Sequence, residues 1–368
     1  MIPLRLFSRR RVYEALDPAP GNILTQTFNI LLSSAGRRVG LLDLLKTTLR
    51  DLDLVGEVIA IDMSRTAPAF HLADRSFTVP RCTAPEFVDV VLEICAKHNV
   101  GLIVPTIDTE LPIYAAARER FAKAGVTVAI SSPEVIAIAN DKVATHKWLS
   151  THGLPTVRQA TVAEVLDSPD QWEYPLFVKP VAGSMSQGIA VVENSEELVA
   201  ATSDDTYVVQ TLAAGEEYTV SFFAGRDGRC RCAVPRKRLE VRAGEVSKGL
   251  TVRNPLIEEL TFELCELLPG AYGALNVQIF LDEATETLSI IEINPRFGGG
   301  FPLAWEAGGK YPQWLIEELL DLPSTAARDK WRDRLTMLRF DDAVYLTEEE
   351  LNESPEVHRV RRGRHALS

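Results

Sequence analysis

Apolar and polar segments alternate along the first 140 residues in a regular way. Short runs rich in Ile, Leu and Val predict buried strands, among them FNILLSSA at 28–35, GEVIAIDMS at 56–64 and GLIVPTID at 101–108. The segments between them repeat apolar residues with a helical period and predict helices. Strands that alternate with helices in this way predict a doubly wound parallel sheet.

Ligands of such a sheet bind beyond the carboxyl ends of its strands, which draws attention to the loops at 33–38, 62–66 and 105–110. The first of these loops, SSAGRR, has two interpretations. It holds an anion on its backbone amides beside Arg37 and Arg38, or it is a plain strand-to-helix turn. The full G-x-G-x-x-G pattern of a dinucleotide site is missing from it.

The pattern changes near residue 140, where strands follow one another through short loops and predict antiparallel pairing. GALNVQIFLD at 273–282 and TLSIIEIN at 287–294 predict a hairpin, and RLTMLRF at 334–340 predicts one more strand. The polar segment RKRLEVRAGEVSKGLTVRNP at 236–255 predicts a mobile loop. The chain as a whole therefore predicts an α/β sheet followed by an α+β fold.

The second strand of this hairpin carries charge where an apolar core is expected. Side chains two apart on a strand share a face, so Glu292, Asn294 and, if the chain stays extended, Arg296 project together. Burying these groups without partners is costly. The pattern therefore predicts a charged ligand in front of them, with a structural ion-pair network as the alternative.

The hairpin geometry sets Gln278 roughly opposite Glu292 and so completes an oxygen-rich cluster with Asn294. Mg²⁺ prefers such ligands and is usually held by one or two carboxylates together with substrate phosphates. Arg296 is expected to face the oxygens of a transferred phosphoryl group. The glycines at 298–300 are expected to let the backbone approach a substrate carboxylate.

Lys179 ends an apolar strand and precedes a loop of small residues. That loop contains Gly183, Ser184, Ser186 and Gly188. Backbone amides approach an anion closely where side chains are small, and the hydroxyl groups add donors. The combination is typical of a polyphosphate site, although the Walker A pattern is missing. The alternative is a hairpin loop with a lysine that extends to solvent.

A third candidate segment is YVVQTLAAGEEYTV at 207–220, a strand followed by a bend and a second strand. The bend exposes backbone groups from Gln210 to Leu212, including Thr211, to the edge of a purine. Glu217 is expected on the polar face of the second strand, where its carboxylate accepts from a ribose hydroxyl. The alternative is that Glu217 is an ordinary solvated strand residue.

Composition and charge exclude several classes of function. The 368 residues carry a formal net charge of −12, which argues against a large nucleic-acid footprint. No apolar run reaches membrane-spanning length, and the basic N-terminus is a poor secretory signal. The five scattered cysteines fit a reducing cytoplasm, and the pair Cys230-x-Cys232 lacks the partners of a metal site.

The motifs resemble, in their order along the chain, those of the ATP-grasp superfamily. They are FVKP with its Gly/Ser loop, GEEY, NVQIF and EINPRFGGG. The preceding segments resemble the domain before the ATP-grasp unit in the large chain of carbamoyl-phosphate synthase. The resemblance covers residues 28–320 and implies an ATP held between two α+β subdomains, with Mg²⁺ on its phosphates.

The resemblance also implies a role for each candidate residue. The residues that it implies around ATP are Lys142, Lys179, Gly183, Ser184, Ser186, Gly188, Gln210, Thr211, Leu212 and Glu217. The implied Mg²⁺ ligands are Gln278, Glu292 and Asn294. The implied catalytic cations are Arg296, which stabilises the transferred phosphoryl group, and Lys248 and Arg253, in a loop that closes over the γ-phosphate.

Two departures from the family pattern refine this expectation. Thr211 stands where many relatives carry a glutamate after the hinge glutamine, so a backbone carbonyl is expected to replace that adenine contact. Only one ATP-grasp unit is present, which argues against carbamoyl-phosphate synthesis and favours a carboxylate–amine ligase. The alternatives are an ATP-binding regulatory or scaffold protein without turnover, and an NAD(P)-linked oxidoreductase.

The expected organisation has four parts. These are an N-terminal extension at 1–27, a Rossmann-like domain at 28–140, an ATP-grasp domain at 141–325 with a lid at about 146–212, and a C-terminal segment at 326–368. The expected partners are a small carboxylate and an amine, without nucleic acid or membrane. A homodimer in the cytoplasm is compatible with the sequence.

Overall fold

A five-stranded parallel sheet forms from the first apolar segments. The computed structural model describes residues 27–181, 188–202, 206–242 and 245–352. The strands are β1 Asn29–Leu32, β2 Val58–Asp62, β3 Arg75–Thr78, β4 Val100–Val104 and β5 Thr127–Val128. They pair in parallel in the order β3-β2-β1-β4-β5, which confirms the predicted doubly wound sheet.

Helices cover both faces of this sheet. They are α1 Val39–Asp51, α2 Pro68–Leu72, α3 Phe87–Lys97, α4 Leu111–Lys123 and α5 Pro133–Asn140, with a 3₁₀ turn at Asp108–Glu110. Ile30 and Leu32 pack in one cluster with α1, whereas Leu31 packs on the opposite face with α3 and α4. Because both faces are buried there, the central strands β1, β2 and β4 are almost entirely apolar and do not alternate.

A four-stranded antiparallel sheet follows. Its strands are β6 Gln159–Thr161, β7 Leu176–Pro180, β8 Ala190–Val192 and β9 Tyr207–Thr211, in the order β6-β9-β7-β8. The accompanying helices are α6 Lys142–Thr151, α7 Val162–Asp167 and α8 Ser195–Ala201, with a 3₁₀ turn at Pro169–Gln171. Val165 and Leu198 of the helices pack with Val178 and Val209 of the strands in a separate small core.

The third sheet is antiparallel and has six strands in the order β14-β13-β10-β11-β12-β15. They are β10 Glu216–Ala224, β11 Cys230–Arg242, β12 Glu245–Thr251, β13 Gly273–Asp282, β14 Thr287–Asn294 and β15 Thr336–Leu338. The helices of this part are α9 Pro255–Leu267, α10 Phe301–Ala307, α11 Tyr311–Leu319 and α12 Glu348–Asn352. The hairpin predicted around residues 283–286 and the extra strand near 334–340 are confirmed.

The segment 236–255 was predicted as a mobile loop, and this prediction was wrong for most of its length. It forms the second half of β11 and all of β12, which pair from Arg236 opposite Thr251. The outer half of β11 is solvent-exposed, so most of its side chains are charged although the backbone forms a strand. Polarity alone therefore did not distinguish an exposed hairpin from a loop.

Contacts join the three sheets. Leu41 of α1 lies in one hydrophobic cluster with Phe301 and Trp305 of α10. The backbone N–H of Ile290 on β14 donates to Pro155 O at 2.8 Å, ahead of the four-stranded sheet. The expected boundary near residue 140 falls between α5 and α6, and the division into domains stays a prediction. Among the described residues, no helix combines the length and apolar character needed to cross a membrane.

Candidate active site

One face of the six-stranded sheet carries a row of polar side chains at neighbouring register positions. Glu292 on β14 lies opposite Gln278 on β13, as predicted, and Asn294 lies opposite Asn276. Gln278 in turn lies opposite Thr219 on β10. Because directly opposed side chains are about 4.5–5.5 Å apart at their Cβ atoms, the polar groups form one continuous surface.

Glu292 is the electrostatic centre of this surface. Burial raises the pKa of its carboxyl group, the charges of Lys179, Lys142 and Arg296 lower it, and the charge of Asp108 raises it. These four neighbours lie in β7, in α6, in the 3₁₀ turn after β4 and just beyond the end of β14. The three cations outnumber the two carboxylates of Glu292 and Asp108, so the site carries a net positive charge that is suited to an additional anion.

Lys179 reaches this site from β7 and is 5% exposed. Burial lowers the pKa of its ammonium group to about 8, while the charge of Glu292 raises it and that of Lys142 lowers it. Lys142 is the first residue of α6, which Asp141 caps by accepting from the N–H groups of Val143 and Ala144. The cap fixes where the helix begins and so fixes Lys142 beside Lys179.

The depressed pKa of Lys179 yields a prediction about stability. Between about pH 8 and the ordinary lysine pKa of 10.5, the unfolded chain binds more protons at this position than the folded one, so stability rises with pH. At pH 7 the buried charge therefore destabilises the ligand-free protein. Lys179→Met is expected to raise the free energy of unfolding at pH 7 by up to about 3 kcal/mol, and this gain should shrink by pH 10. Urea unfolding at both pH values measures it.

Lys147→Met, in an exposed position on α6, is the matched control and should leave stability nearly unchanged at both pH values. If Lys179→Met destabilised the ligand-free protein at pH 7 as much as at pH 10, Lys179 would be a structural residue with a satisfied charge.

The bend between β9 and β10 is held by side chains and backbone from β6. Gln210 is 4% exposed and donates from Nε2 to Gln159 Oε1 at 2.7 Å, while the N–H of Thr211 donates to Arg158 O at 3.0 Å. Leu212 is exposed at the end of the bend. The polar groups of Gln210 and Thr211 are thus partly engaged within the protein, and an adenine role for this bend stays a prediction.

Glu217 is not an isolated solvated residue. It lies on β10 and forms an ion pair with Arg238 of β11, in which Arg238 Nη1 donates to Oε1. This orients the carboxylate on the same face of the sheet as Thr219. A ribose hydroxyl would have to share it with the guanidinium.

Arg296 is held by Asp108, which lies in the loop after β4 of the five-stranded sheet. Its Nε and Nη2 donate to the two carboxylate oxygens of Asp108 at 2.6 and 2.7 Å, a bidentate pair. Asp108 follows β4, in the loop 105–110 that sequence analysis marked as a ligand-binding loop. The pair therefore brings that loop against the end of β14, although Asp108 itself was not singled out from the sequence.

Lys248 and Arg253 have other partners. Lys248 Nζ pairs with Glu240 at 2.6 Å on the exposed β11–β12 hairpin. Arg253 stacks on the Trp331 ring at 4.0 Å and donates to the Asp329 carbonyl. The structure corrects the loop expectation for Lys248, which lies in β12, whereas Arg253 lies in the short segment between β12 and α9. A contact of either with a γ-phosphate stays a prediction.

The expected phosphate loop is described only in part. Gly183, Ser184 and Ser186 lie outside the described residues. Gly188 follows with φ +70°, a conformation that favours glycine, and a Cβ there would lie 3.0 Å from the Pro180 side chain.

A buried carboxylate fixes the loops at the switch point of the parallel sheet. Glu110 accepts from Ser33 Oγ at 2.6 Å, Ser34 Oγ at 2.7 Å and the Thr106 N–H at 2.6 Å, and burial raises the pKa of Glu110. The N–H of Gly36 donates to Asp62 rather than facing a ligand. For the loop 33–38, these bonds favour the interpretation as a strand-to-helix turn.

Besides Asp108, two residues near the site were missed from the sequence. Asn276 lies two positions before Gln278 on the same face, so the strand period could have found it. Its Oδ1 accepts from Ser221 Oγ at 2.7 Å, and its Nδ2 donates to the Arg296 carbonyl at 2.6 Å. Arg236, 3% exposed, was hidden by the interpretation of its segment as a loop.

The oxygen donors fit a magnesium ion. Glu292 supplies one carboxylate, and Gln278 and Asn294 add amide oxygens on the same face, the hard ligands that Mg²⁺ prefers. Within the described residues, no three His, Cys, Asp or Glu side chains gather as a metal site. An ion at Glu292 would therefore depend on amide oxygens and on phosphate oxygens of a nucleotide.

Two family models and several known proteins are similar to this chain. The family model described as PylC-like, N-terminal domain, matches residues 30–129, and that of the ATP-grasp domain matches residues 139–300. The chain is 36% identical to the D-alanine–D-alanine ligase of Ectopseudomonas mendocina over 219 residues, which cover 54% of this chain and 69% of that protein. It is 21% identical to the carbamoyl phosphate synthase large chain of Thermotoga petrophila over 296 residues, covering 74% and 27% of the two chains.

The chain spans less than two thirds of the length of several D-alanine–D-alanine ligases that it matches. The match to the D-alanine–D-alanine ligase of Corynebacterium aurimucosum, 27% identical over 226 residues, covers 54% of this chain and spans 64% of that protein's length. The fold is similar to the biotin carboxylase domain of the 2-oxoglutarate carboxylase of Hydrogenobacter thermophilus, with a TM-score of 0.67 and 17% identity over 84% of this chain and 74% of that one. That crystal structure contains MgADP and bicarbonate.

Proposed function

The chain belongs to the ATP-grasp superfamily of carboxylate–amine ligases, and we propose that it is an ATP-dependent, ADP-forming enzyme that joins a small carboxylic or amino acid to an amine. The observation that carries this proposal is the gathering of Lys179, Lys142 and Arg296 around Glu292 on the polar row of the sheet. Lys179 of β7, Lys142 of α6 and Arg296 beyond the end of β14 all act on this one carboxylate. Such a site matches a nucleotide triphosphate with its metal ion.

In this proposal, different side chains bind different parts of Mg-ATP. Lys142 and Lys179 bind phosphate oxygens, which supply a counter-charge to the buried ammonium group of Lys179. Glu292, Asn294 and Gln278 hold Mg²⁺, which neutralises charge on the phosphates when it is bound. The bend after β9 lines the base, and Glu217 lies near the ribose. Arg296, oriented by Asp108, stabilises the oxygens of the γ-phosphoryl group.

The proposed reaction has two steps. A carboxylate oxygen of the acid attacks the γ-phosphorus, the bond to the β-bridging oxygen breaks, and ADP leaves. The amine nitrogen then attacks the carbonyl carbon of the acyl phosphate, orthophosphate leaves, and the nitrogen gives up a proton. Positioning and charge neutralisation supply most of the catalysis in phosphoryl transfer. The three cations around Glu292 are suited to that task.

The proposed substrate classes are based on the similar proteins. The similarity to D-alanine–D-alanine ligases supports an amino acid as the acid and an amino acid or related compound as the amine. Because the match spans only part of those ligases, the identity of both substrates is a proposal. The homodimer, the cytoplasmic location and the domain boundaries near residues 140 and 325 belong to the same proposal.

Nucleotide binding is expected to be visible as thermal stabilisation. Mg-ATP should raise the unfolding temperature, because a ligand that binds only the folded state stabilises it by mass action, whereas NAD⁺ should not. The same protein is then screened for ADP formation with Mg-ATP and pairs drawn from the twenty L-amino acids, D-alanine and acetate.

Stabilisation by NAD⁺ without Mg-ATP would overturn the proposed nucleotide site. Stabilisation by Mg-ATP with no ADP formed from any pair would instead favour an ATP-binding protein without turnover. Lys179→Met serves as the control for site occupancy and should remove most of the shift that Mg-ATP produces.

A further inference from the structure

Arg236 is a buried cation without a carboxylate partner in the described part of the chain. Its side chain is 3% exposed, and its Nη2 donates to Ser221 Oγ at 2.9 Å and Asn276 Oδ1 at 3.4 Å. Its Nε is buried and has no hydrogen-bond partner among the described residues, and its Nη1 donates to none of them. A guanidinium group has five N–H donors, so most of its capacity is unused.

The position of this guanidinium group connects it to the proposed active site. Arg236 lies opposite Thr219, in the cross-strand row that contains Gln278 and Glu292. Its head group lies directly against the turn that follows β14, because a Cβ on Gly300 would be 2.1 Å from Nη1. A side chain at position 300 would therefore have to displace the Arg236 head group.

The same turn is bound to Arg236 through a second side chain. Asn276 accepts from Arg236 and donates to the carbonyl of Arg296, and a Cβ on Gly298 would lie 2.9 Å from Asn276 Oδ1. The turn 298–300 thus has Arg296 at its start and the Arg236 head group beneath it. Backbone, without side chains, is all that covers this head group at Gly298 and Gly300.

Of Arg236, Arg238 and Arg296, Arg236 is the one without a carboxylate partner among the described residues. Asp108 balances Arg296, and Glu217 balances Arg238. Burial lowers the pKa of Arg236 to about 10, with the charge of Tyr311 raising it and that of Arg238 lowering it, and no carboxylate contributes. A buried charge without a counter-ion costs several kcal/mol in general, about 3–5 where a partner has been removed. A protein tolerates such a cost where a ligand supplies the missing charge.

We propose that Arg236 binds the carboxylate of the acid substrate, the group that becomes the acyl phosphate, as it lies at the glycine turn 298–300 between Arg236 and Arg296. This inference rests on the proposed function, because it assigns the acid subsite of that reaction. A guanidinium fork matches the two oxygens of a carboxylate. Nη1, which makes no hydrogen bond to the described residues, lies against the backbone of Gly300 at this turn and is the donor left over for such a fork.

The test compares Arg236→Met with Arg242→Met, a change of an exposed arginine on the same strand. Without ligand, Arg236→Met is expected to unfold at the wild-type temperature or above it, because the substitution removes an unpaired buried charge. With Mg-ADP present, acetate at constant ionic strength should raise the unfolding temperature of wild type and of Arg242→Met by about 2–4 °C, and that of Arg236→Met by much less.

Kinetics supply the second readout, on whichever acid stimulates ADP formation. Arg236→Met should raise KM for that acid about 10- to 100-fold, the loss expected for a charge-assisted hydrogen bond, with KM for ATP unchanged. Arg236→Lys keeps the positive charge but loses the two-pronged guanidinium group. Its KM for the acid should lie between those of wild type and Arg236→Met. Arg236→Lys also serves if Arg236→Met fails to fold.

The outcomes separate the two proposals. An acetate shift that depends on Arg236, without ADP formation from any acid, would refute the ligase function and retain the anion site. ADP formation with an unchanged KM for the acid in Arg236→Met would refute the subsite and retain the ligase function. A wild-type protein that acetate does not stabilise, or an Arg236→Met protein that acetate stabilises as much as wild type, would likewise overturn the subsite.

Discussion

Glu292→Gln is expected to lower turnover by about a thousandfold, roughly 4 kcal/mol of transition-state stabilisation, while the protein stays folded. The substitution keeps the size of the side chain and removes the charge that would hold Mg²⁺ against the phosphates. Lys179, Lys142 and Arg296 would then face the nucleotide without the metal that aligns it. Steady-state ADP formation at saturating ATP measures the loss.

The ligand-free stability of this variant provides a check on the cause. The folded pKa of Glu292 is raised, so above that pKa the folded protein carries a charge that is easier to hold in the unfolded chain. Glu292→Gln should therefore unfold at the wild-type temperature or above it near neutral pH. Glu263→Gln, in an exposed position on α9, is the matched control for both measurements. Near-wild-type turnover of Glu292→Gln at ordinary Mg²⁺ would make the oxygen cluster structural.

The parts of the fold that were predictable from the sequence are those that local rules determine. The apolar runs of β1, β2 and β4 are buried on both faces and alternate with amphipathic helices, a pattern that allows few arrangements. The hairpin of β13 and β14 is fixed by a short turn and by the period of two along each strand. These two constraints are local to residues 273–294, and together they are enough to place Gln278 opposite Glu292.

The contacts that depend on tertiary structure were not predictable in this way. Asp108 and Arg296 are 188 residues apart and meet because the end of β4 faces the end of β14. Arg236 is charged and belongs to a segment that is polar on average, so its burial has no signature in composition. The sequence marks which residues have the chemistry for a site, but the packing of three sheets decides which of them lie together.

Isotope transfer is expected to locate the chemical step at the terminal phosphate. With ¹⁸O in the carboxylate of the acid, one labelled oxygen per turnover should appear in the released orthophosphate. This follows because a carboxylate oxygen forms the new bond to the γ-phosphorus and remains with it when the amine displaces phosphate. The nucleotide product should be ADP. Mass spectrometry of the phosphate and chromatography of the nucleotides measure both results.

The expectation derives from where the charges lie. The proposed metal ligands Glu292 and Asn294 are on the same face of β14, with Arg296 just beyond the strand end. In the proposed site, these groups stabilise the negative charge that develops on the γ-phosphoryl oxygens during transfer. An adenylate mechanism would need the same cations at the α-phosphate, where they would stabilise a different set of oxygens. Hydroxylamine in place of the amine should also trap the activated acid as a hydroxamate while ADP still forms.

The control is the unlabelled acid in H₂¹⁸O, which should leave the released phosphate unlabelled. Label from water would show that ATP is hydrolysed without activating the acid, because a water oxygen would then have attacked the γ-phosphorus. AMP as the nucleotide product, or label from the acid in AMP, would contradict the proposed roles of Glu292, Asn294 and Arg296 together. The two failures differ, since the first leaves the γ-phosphate as the reacting group and removes only the acid, whereas the second moves the chemistry away from the polar row of the sheet.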